Sequence, residues 1–414
     1  MHASATERPH HAPPRQFPVM DDCLQLGGVL LTRLAERVGR TPFYAYERDH
    51  IRSRVALLRD TLPRGVHLHY AIKANPMPAL VGLMAPLVDG FDVASAGEMK
   101  TALDAGMTPA RISFAGPGKS NAELRGAVAA GALLHLESEA EMERVAAVGA
   151  LLGLTPRVAV RVNPDFELKY AGMKMAGGAR QFGVDAERVP AMLDKLGRLG
   201  LDFHGFHLFC GAQNLSAAAI CEAQRLCVEL ALRLAARAPS PMRLLNIGGG
   251  LGVPYFPGER ALNLPAVAEG VDAALRTLKQ ASPGTQLVLE LGRYLVAEAG
   301  IYVCRVIERK QSHGQLFLIT DGGMHHHLAA SGNFGQVIRK NFPVAIGNRV
   351  QGSARETVSV VGPLCTPLDL LAERMELARA DVGDLVVVFQ SGAYGLTASP
   401  TGFLGHPAPL EVLV

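Results

Sequence analysis

The chain carries little net charge. Its 414 residues sum to +3 with histidine neutral, and no run of lysine or arginine stands out. Nucleic-acid and membrane-surface binding both need a basic footprint, so neither is indicated. No apolar run reaches the length that crosses a bilayer. The six cysteines, at 23, 210, 221, 227, 304 and 365, form no CxxC pair. That pattern fits free thiols in a reducing cytoplasm. The first 20 residues are rich in proline and histidine and have no apolar core. They read as a disordered leader and not as a signal peptide. About half of the residues (49%) are hydrophobic, enough for a large core. The length accommodates one to three domains.

What the chain has is a long alternation of two periods. Leu24–Arg40 reads as a helix ended by Thr41-Pro42, and Phe43–Tyr46 as a short extended piece. Eight strand-like segments follow: 67–72, 90–94, 111–115, 133–137, 157–162, 203–209, 244–247 and 286–291. Between them lie segments with helical spacing, among them 98–105, 139–152, 217–236 and 264–278. Strands alternating with helices over about 250 residues predict an α/β fold, a parallel (β/α)8 TIM barrel. After Arg293 the segments 302–308, 315–320, 344–346, 357–361 and 385–389 read as strands with few helices between them. The predicted organisation is a leader over 1–20, an N-terminal segment over 21–43 that joins a β domain, a barrel over 44–293, and an all-β domain over 294–414.

The polar residues fall where such a barrel keeps its sites. Lys73, Asp92, Ser138, Arg161, His207, Gly248-Gly249-Gly250, Glu290 and Arg293 all lie at or just after strand C-termini. Lys73 alone reads as a surface lysine, since lysine is rarely buried without a partner. A desolvated lysine, however, is the side chain that forms Schiff bases. Asn246–Gly252, NIGGGLG, follows a strand, and its glycines allow backbone N–H groups to approach an anion. It lacks the GxGxxG spacing and the P-loop lysine, so a tight turn is the competing reading. Glu290 beside Arg293 reads first as a simple ion pair, although a carboxylate that faces a pyridine nitrogen keeps it protonated and makes the ring an electron sink. His325-His326-His327 invites a zinc reading, but consecutive side chains diverge from one point. No metal is expected there; substrate contacts or a surface loop are.

In this order the motifs YAIKANP, FDVASAGE, RVNP, RQFG, GFHLFCGAQ, NIGGGLG, ELGRYLV, GPLCTPLD and GAYG resemble the fold-type III pyridoxal-phosphate decarboxylases, the ornithine/diaminopimelate decarboxylase family. The likeness runs from about Phe43 to Tyr394. It implies an alanine racemase-like barrel with a C-terminal β domain, pyridoxal 5′-phosphate (PLP) as cofactor, and a homodimer. It also implies roles. Lys73 would hold PLP as a Schiff base, with Asp92 and Glu98 nearby. Arg161, His207 and Phe209 would lie against the cofactor. Gly248, Gly249 and Gly250 would bind its phosphate with Tyr394, and Glu290 would face the pyridine nitrogen. Arg293 would meet phosphate or a substrate carboxylate. Asp321, Thr366 and Tyr394 would lie on the substrate side. Cys365 would reach in from a second subunit, near the carbon that is protonated.

Departures from the family bear on substrate. Phe209 stands where a histidine usually stacks on the cofactor ring, and Ala212 where a serine binds phosphate. An aromatic ring can still stack. Diaminopimelate enzymes carry an acidic residue after the cysteine, here Thr366, and an arginine-proline pair where this chain has Leu328-Ala329-Ala330-Ser331. DGGMHHHLAASGNFGQ and GMKMAGGARQFG are more similar to a biosynthetic subgroup. That subgroup includes exosortase-associated decarboxylases and the butirosin-pathway enzyme acting on glutamyl groups tethered to a carrier protein. The expected activity is therefore decarboxylation of an amino acid or aminoacyl substrate, possible carrier tethering included. The alternatives are diaminopimelate decarboxylation, an amino-acid racemase, or a homologue without catalysis. Glu290 speaks against the racemase, in which an arginine weakens the electron sink.

Overall fold

The eight strand-like segments all form strands. They are β1 (Val66–Ala71), β2 (Gly90–Val93), β3 (Ile112–Phe114), β4 (Leu133–Leu136), β5 (Arg157–Asn163), β6 (Asp202–His207), β7 (Leu244–Gly249) and β8 (Gln286–Leu291). A computed structural model describes residues 11, 16–166, 173–174 and 177–414. Each strand pairs in parallel with the next, and β8 pairs with β1, so the sheet closes into a barrel. Closure leaves no open edge. Outward positions such as Leu68, Phe91, Phe114, Leu134, Val158 and Leu289 are fully buried. Helices follow the strands, and polar caps start several of them. Ser95, Ser120, Ser138, Ser216 and Asn263 each accept a backbone N–H three residues on. Ser138, singled out above as a site candidate, is thus the cap of the helix Glu139–Leu152.

The chain divides into two compact units. The barrel unit holds Ser53–Val253 and Leu262–Leu295. The other unit holds the residues up to Arg52, Pro254–Ala261 and Val296–Val414. Three expectations need correction here. The barrel does not begin at residue 44, because Phe43–Tyr46 is a strand of the β unit, paired with Gly300–Ser312 and Leu410–Leu413. Pro254–Ala261 also leaves the barrel unit, since Tyr255 packs its ring 4.7 Å from Phe342. Finally, the leader does not extend to residue 20. Phe17 is buried in the β unit's core, and Val19–Met20 pairs with Cys23–Leu26. The leader's residues 1–10 and 12–15 lie outside the described residues.

The predicted helix over 24–40 is shorter, Leu31–Val38. Gly27 and Gly28, both at positive φ, turn Cys23–Leu26 back on Val29–Leu30 as a hairpin. The β unit's larger sheet contains Gly300–Ser312, Gln315–Thr320, Val344–Ile346, Arg355–Val361 and Leu385–Val388. It also contains Leu370–Ala378, which the sequence reading lacked.

Candidate active site

Lys73 sits in a single 3-10 turn, Ile72–Ala74, directly after β1. Two contacts fix that turn. The Tyr70 hydroxyl donates to the Asn75 carbonyl at 2.9 Å, and Asn75 Oδ1 accepts the Met77 N–H at 3.1 Å. Gly292, after β8, allows close approach, because a Cβ there would lie 2.9 Å from Ala74 Cβ. The Lys73 side chain remains 40% exposed. Its Nζ is 3.8 Å from Glu290 Oε1 and 5.4 Å from the centre of the Phe209 ring.

Glu290, near the end of β8, is buried. Its Oε2 lies 3.2 Å from His207 Nε2 and 3.4 Å from Asn246 Nδ2. Burial opposes its ionisation. The His207 hydrogen bond and the charges of Lys73 and Arg161 outweigh burial and hold the carboxyl well below the usual carboxylate range. A buried carboxylate beside an amine, with its anionic form enforced, is the central feature of this mouth.

The other predicted residues are placed as follows. Arg161 donates to Glu137 Oε1 at 2.8 Å and lies 4.7 Å from the Phe182 ring centre. Glu137 also accepts the Gly116 N–H at 2.7 Å and the Gly183 N–H at 2.8 Å, tying the RQFG turn to β4. Asp92 is held by Ser113, whose hydroxyl donates to Oδ1, and by His69 at 3.3 Å. Glu98 accepts the Ala94 N–H at 2.7 Å; burial pushes its carboxyl up despite that bond and the Lys73 charge. Phe209 is buried, with its ring 6.4 Å from that of His207. Arg293 opens the short helix Arg293–Val296 after β8.

The glycine turn is a place where side chains do not fit. A Cβ at Gly249 would lie 2.4 Å from the Glu290 carbonyl oxygen, and one at Gly250 2.6 Å from that of Gly211. Gly248 contributes differently from the expectation. Its N–H already donates to Asn246 Oδ1 at 2.8 Å, so its part is the positive-φ turn.

Sequence reasoning missed Glu137, His69 and His135. His135 is fully buried, its ring centre 4.5 Å from that of His207. Lys119 was missed too. It is buried and donates to Glu141 at 2.7 Å and to the Gly116 and His135 carbonyls. Within β4, the one polar residue, His135, was the hint.

In the β unit, Asp321 is held from both sides. Oδ1 accepts the Arg305 N–H at 2.7 Å and Oδ2 accepts the Thr41 hydroxyl, so both oxygens join parts of this unit. Cys365 is an exposed free thiol. Thr366 accepts the Leu368 N–H at 3.3 Å. Tyr394 has φ +53° and stacks on Phe334 at 6.5 Å. His325, His326 and His327 are buried and do not form a surface loop. His326 approaches the Tyr302 hydroxyl and the Pro407 carbonyl, and His327 the Ser391 hydroxyl.

A lysine at the C-terminal mouth of a parallel barrel, faced by an ionised buried carboxylate and a glycine turn, defines a pyridoxal-phosphate enzyme of the barrel class. The amine, the anionic partner for a ring nitrogen, the flat Phe209 face and the side-chain-free turn all fit that cofactor. The chain belongs to the pyridoxal-dependent decarboxylases: the model of that family's pyridoxal binding domain matches residues 48–297. Among known proteins, the chain is 39% identical to the L-glutamyl-BtrI acyl-carrier protein decarboxylase of Niallia circulans, over 92% of this chain and 90% of that one. It is 34% identical to the diaminopimelate decarboxylase of Campylobacter jejuni, over 87% of each. Among solved structures, the Helicobacter pylori diaminopimelate decarboxylase complexed with L-lysine superposes with a TM-score of 0.82 at 28% identity, covering 92% of this chain and 94% of that one. No helix among the described residues is long and apolar enough to cross a membrane.

Proposed function

We propose that this enzyme removes the α-carboxylate of an aminoacyl group carried on a carrier protein, with Lys73 as the amine that holds the cofactor. The observation that carries the reading is the Lys73–Glu290–His207 array, 3.8 and 3.2 Å apart in turn. Bound PLP supplies the electron sink that accepts the pair left at Cα when CO2 departs. Glu290 keeps a proton at the ring nitrogen, and His207 and Asn246 hold Glu290 in place. Phe209 presents an apolar face to the ring. Gly249 and Gly250 would bring backbone to the phosphate, while Gly248 shapes the turn; Arg293 would take the phosphate or a substrate carboxylate. Asp92 and Arg161 act as positioning residues, through His69 and Glu137.

The Cα–carboxylate bond breaks, CO2 leaves, and Cα takes a proton. We assign that proton to the Cys365 thiol of a second copy in a homodimer, a role its exposure permits. Thr366 would lie beside it on the substrate side. Mixing inactive Lys73→Ala and Cys365→Ala proteins tests this: hybrid dimers regain activity if the thiol acts in trans, and stay inactive if it acts within one chain. A cytoplasmic location is consistent with six free cysteines.

Tethering is supported by the relative that acts on a carrier-bound glutamyl group. It is also supported by Leu328–Ser331, which offers no charge for a distal carboxylate; Ala330 and Ser331 are buried. Diaminopimelate decarboxylation is the second reading, favoured by the 34% identical relative. CO2 release from the PLP-loaded enzyme over a substrate panel decides. Release from glutamyl or similar aminoacyl groups on a phosphopantetheine arm, and not from free amino acids, is expected. Rapid release from free meso-diaminopimelate would overturn the tethered reading.

A further inference from the structure

The barrel has a second mouth, at the N-terminal ends of its strands, and it contains a polar cavity of about 510 Å³. Three guanidinium groups line it: Arg111 just before β3, Arg157 at the start of β5, and Arg243 just before β7. Among the described residues, only one has a carboxylate partner. Arg243 pairs with Asp202. Arg157 donates to the Gly131 carbonyl at 3.0 Å and to His204 Nε2 at 3.3 Å, and no carboxylate of a described residue comes within ion-pair range. The Arg111 guanidinium forms no hydrogen bond or ion pair with a described residue. Asp89, the carboxylate in the lining, is already used by Arg59 at 2.8 Å and by the Leu68 N–H at 2.7 Å. Asp202 is further shared with His204 at 2.9 Å.

Two guanidinium groups therefore face this cavity without a paired carboxylate among the described residues: Arg111, which is exposed, and Arg157, which is half-buried. For the half-buried Arg157, a missing paired counter-ion is destabilising. Burial and the neighbouring Arg243 together lower the pKa of Arg157 against the pull of Asp202. His69 also lines the cavity, is 8% exposed, and has its Nδ1 turned to Asp92 Oδ2 at 3.3 Å. Guanidinium forks match the oxygen pairs of phosphate and carboxylate. The volume falls within the range of small-molecule sites, roughly 300–1,000 Å³.

We propose that the N-terminal mouth of the barrel, built on Arg111, Arg157 and Arg243, binds a small multivalent oxyanion of the phosphate or polycarboxylate class. The site is separate from the Lys73 mouth: the six residues of β1 span roughly 20 Å at the usual rise per residue. It does not depend on the decarboxylase reading.

The test is calorimetric titration of the PLP-loaded enzyme with inorganic pyrophosphate and, separately, with citrate, at constant ionic strength. Loading beforehand keeps the glycine turn out of the measurement. One saturable site per chain is expected. Arg111→Ala should weaken it at least about tenfold, which is about 1.4 kcal/mol. Because the Arg111 guanidinium has no partner to lose, that variant should keep its circular dichroism and its bound cofactor. Arg111→Glu should abolish the binding, which keeps the proposal testable if Arg157 variants fail to fold. Tighter pyrophosphate than citrate assigns the phosphate class, and the reverse assigns polycarboxylates. No saturable heat from either probe up to ~10 mM, the weak end of specific affinity, overturns the proposal. So does an affinity unchanged in Arg111→Ala.

Discussion

Replacing Glu290 by Gln removes one charge from the mouth of the barrel and little else. The side chain is buried, and Gln has nearly the same volume and still offers an oxygen to His207 and Asn246. The size of the effect follows from the 3.8 Å separation of Lys73 Nζ and Glu290 Oε1. At an effective dielectric of ~20, two unit charges at that distance interact by about 4 kcal/mol. The Lys73 side chain is 40% exposed, so solvent screens the pair. Halving the figure for screening leaves about 2 kcal/mol, roughly a 30-fold change in an equilibrium or rate. The same substitution removes the anion proposed to keep the cofactor's ring nitrogen protonated. Loss of that anion predicts a fall in kcat of at least about two orders of magnitude, with KM changed far less, because the electron sink is drawn on in the transition state. Glu290→Asp restores the charge at a longer reach and should recover part of the rate. CO2 release under saturating cofactor and substrate measures kcat, and thermal unfolding checks that the fold survives. A correctly folded Glu290→Gln enzyme with kcat within about threefold of the unaltered protein would refute the electrostatic reasoning.

Other perturbations test other parts of the molecule. Lys119→Met should cost about 3–5 kcal/mol of stability by leaving Glu141 buried and unpaired, whereas Lys119→Met with Glu141→Leu should be much closer to neutral, as denaturant unfolding of both will tell. Gly249→Ala should lower cofactor affinity by orders of magnitude or prevent folding, since its Cβ would sit 2.4 Å from a backbone oxygen; equilibrium dialysis of PLP checks it. His327 is fully buried, and burial lowers its pKa to about 3 from 6.5. A depressed histidine contributes stability that is fully present above pH 6.5 and is lost as the pH falls toward 3. At pH 5 the loss is about 2 kcal/mol, and the melting temperature of His327→Gln should therefore fall less between pH 7 and pH 5 than that of the unaltered protein.

What was legible in the sequence was set by local pattern. The eight barrel strands announce themselves because each is an apolar run bounded by turn residues, and a parallel strand buried on both faces needs such a run. Lys73, Glu290 and the glycine turn were findable because they close those runs. Leu370–Ala378 was not, because LLAERMELA is composed of helix formers. Antiparallel pairing with Arg355–Val361 overrides that preference. Leu24–Arg40 failed for the opposite reason: its apolar spacing suits a helix, but two consecutive glycines at positive φ break it into a hairpin and a short helix.

The side chains that position the site are harder to read, and the reason is topological. Glu137 matters because Arg161, Gly116 and Gly183 converge on it, and these residues belong to three different stretches of chain. Nothing in LLHLES distinguishes a glutamate with that function from one at a solvent-exposed strand end. His69 is the same case: it reads as one polar residue in β1 until barrel closure places it between Asp92 and the N-terminal cavity. Asp321 shows the same limit: its motif suggests substrate contact, and only the fold shows that its oxygens also accept from Arg305 and Thr41. A buried polar group must be satisfied by something, and closing a barrel decides by what. Residues at strand ends are therefore visible to sequence reasoning as candidates. Whether each one touches substrate, holds a neighbour that does, or serves only the scaffold is decided by partners that lie tens of residues away along the chain.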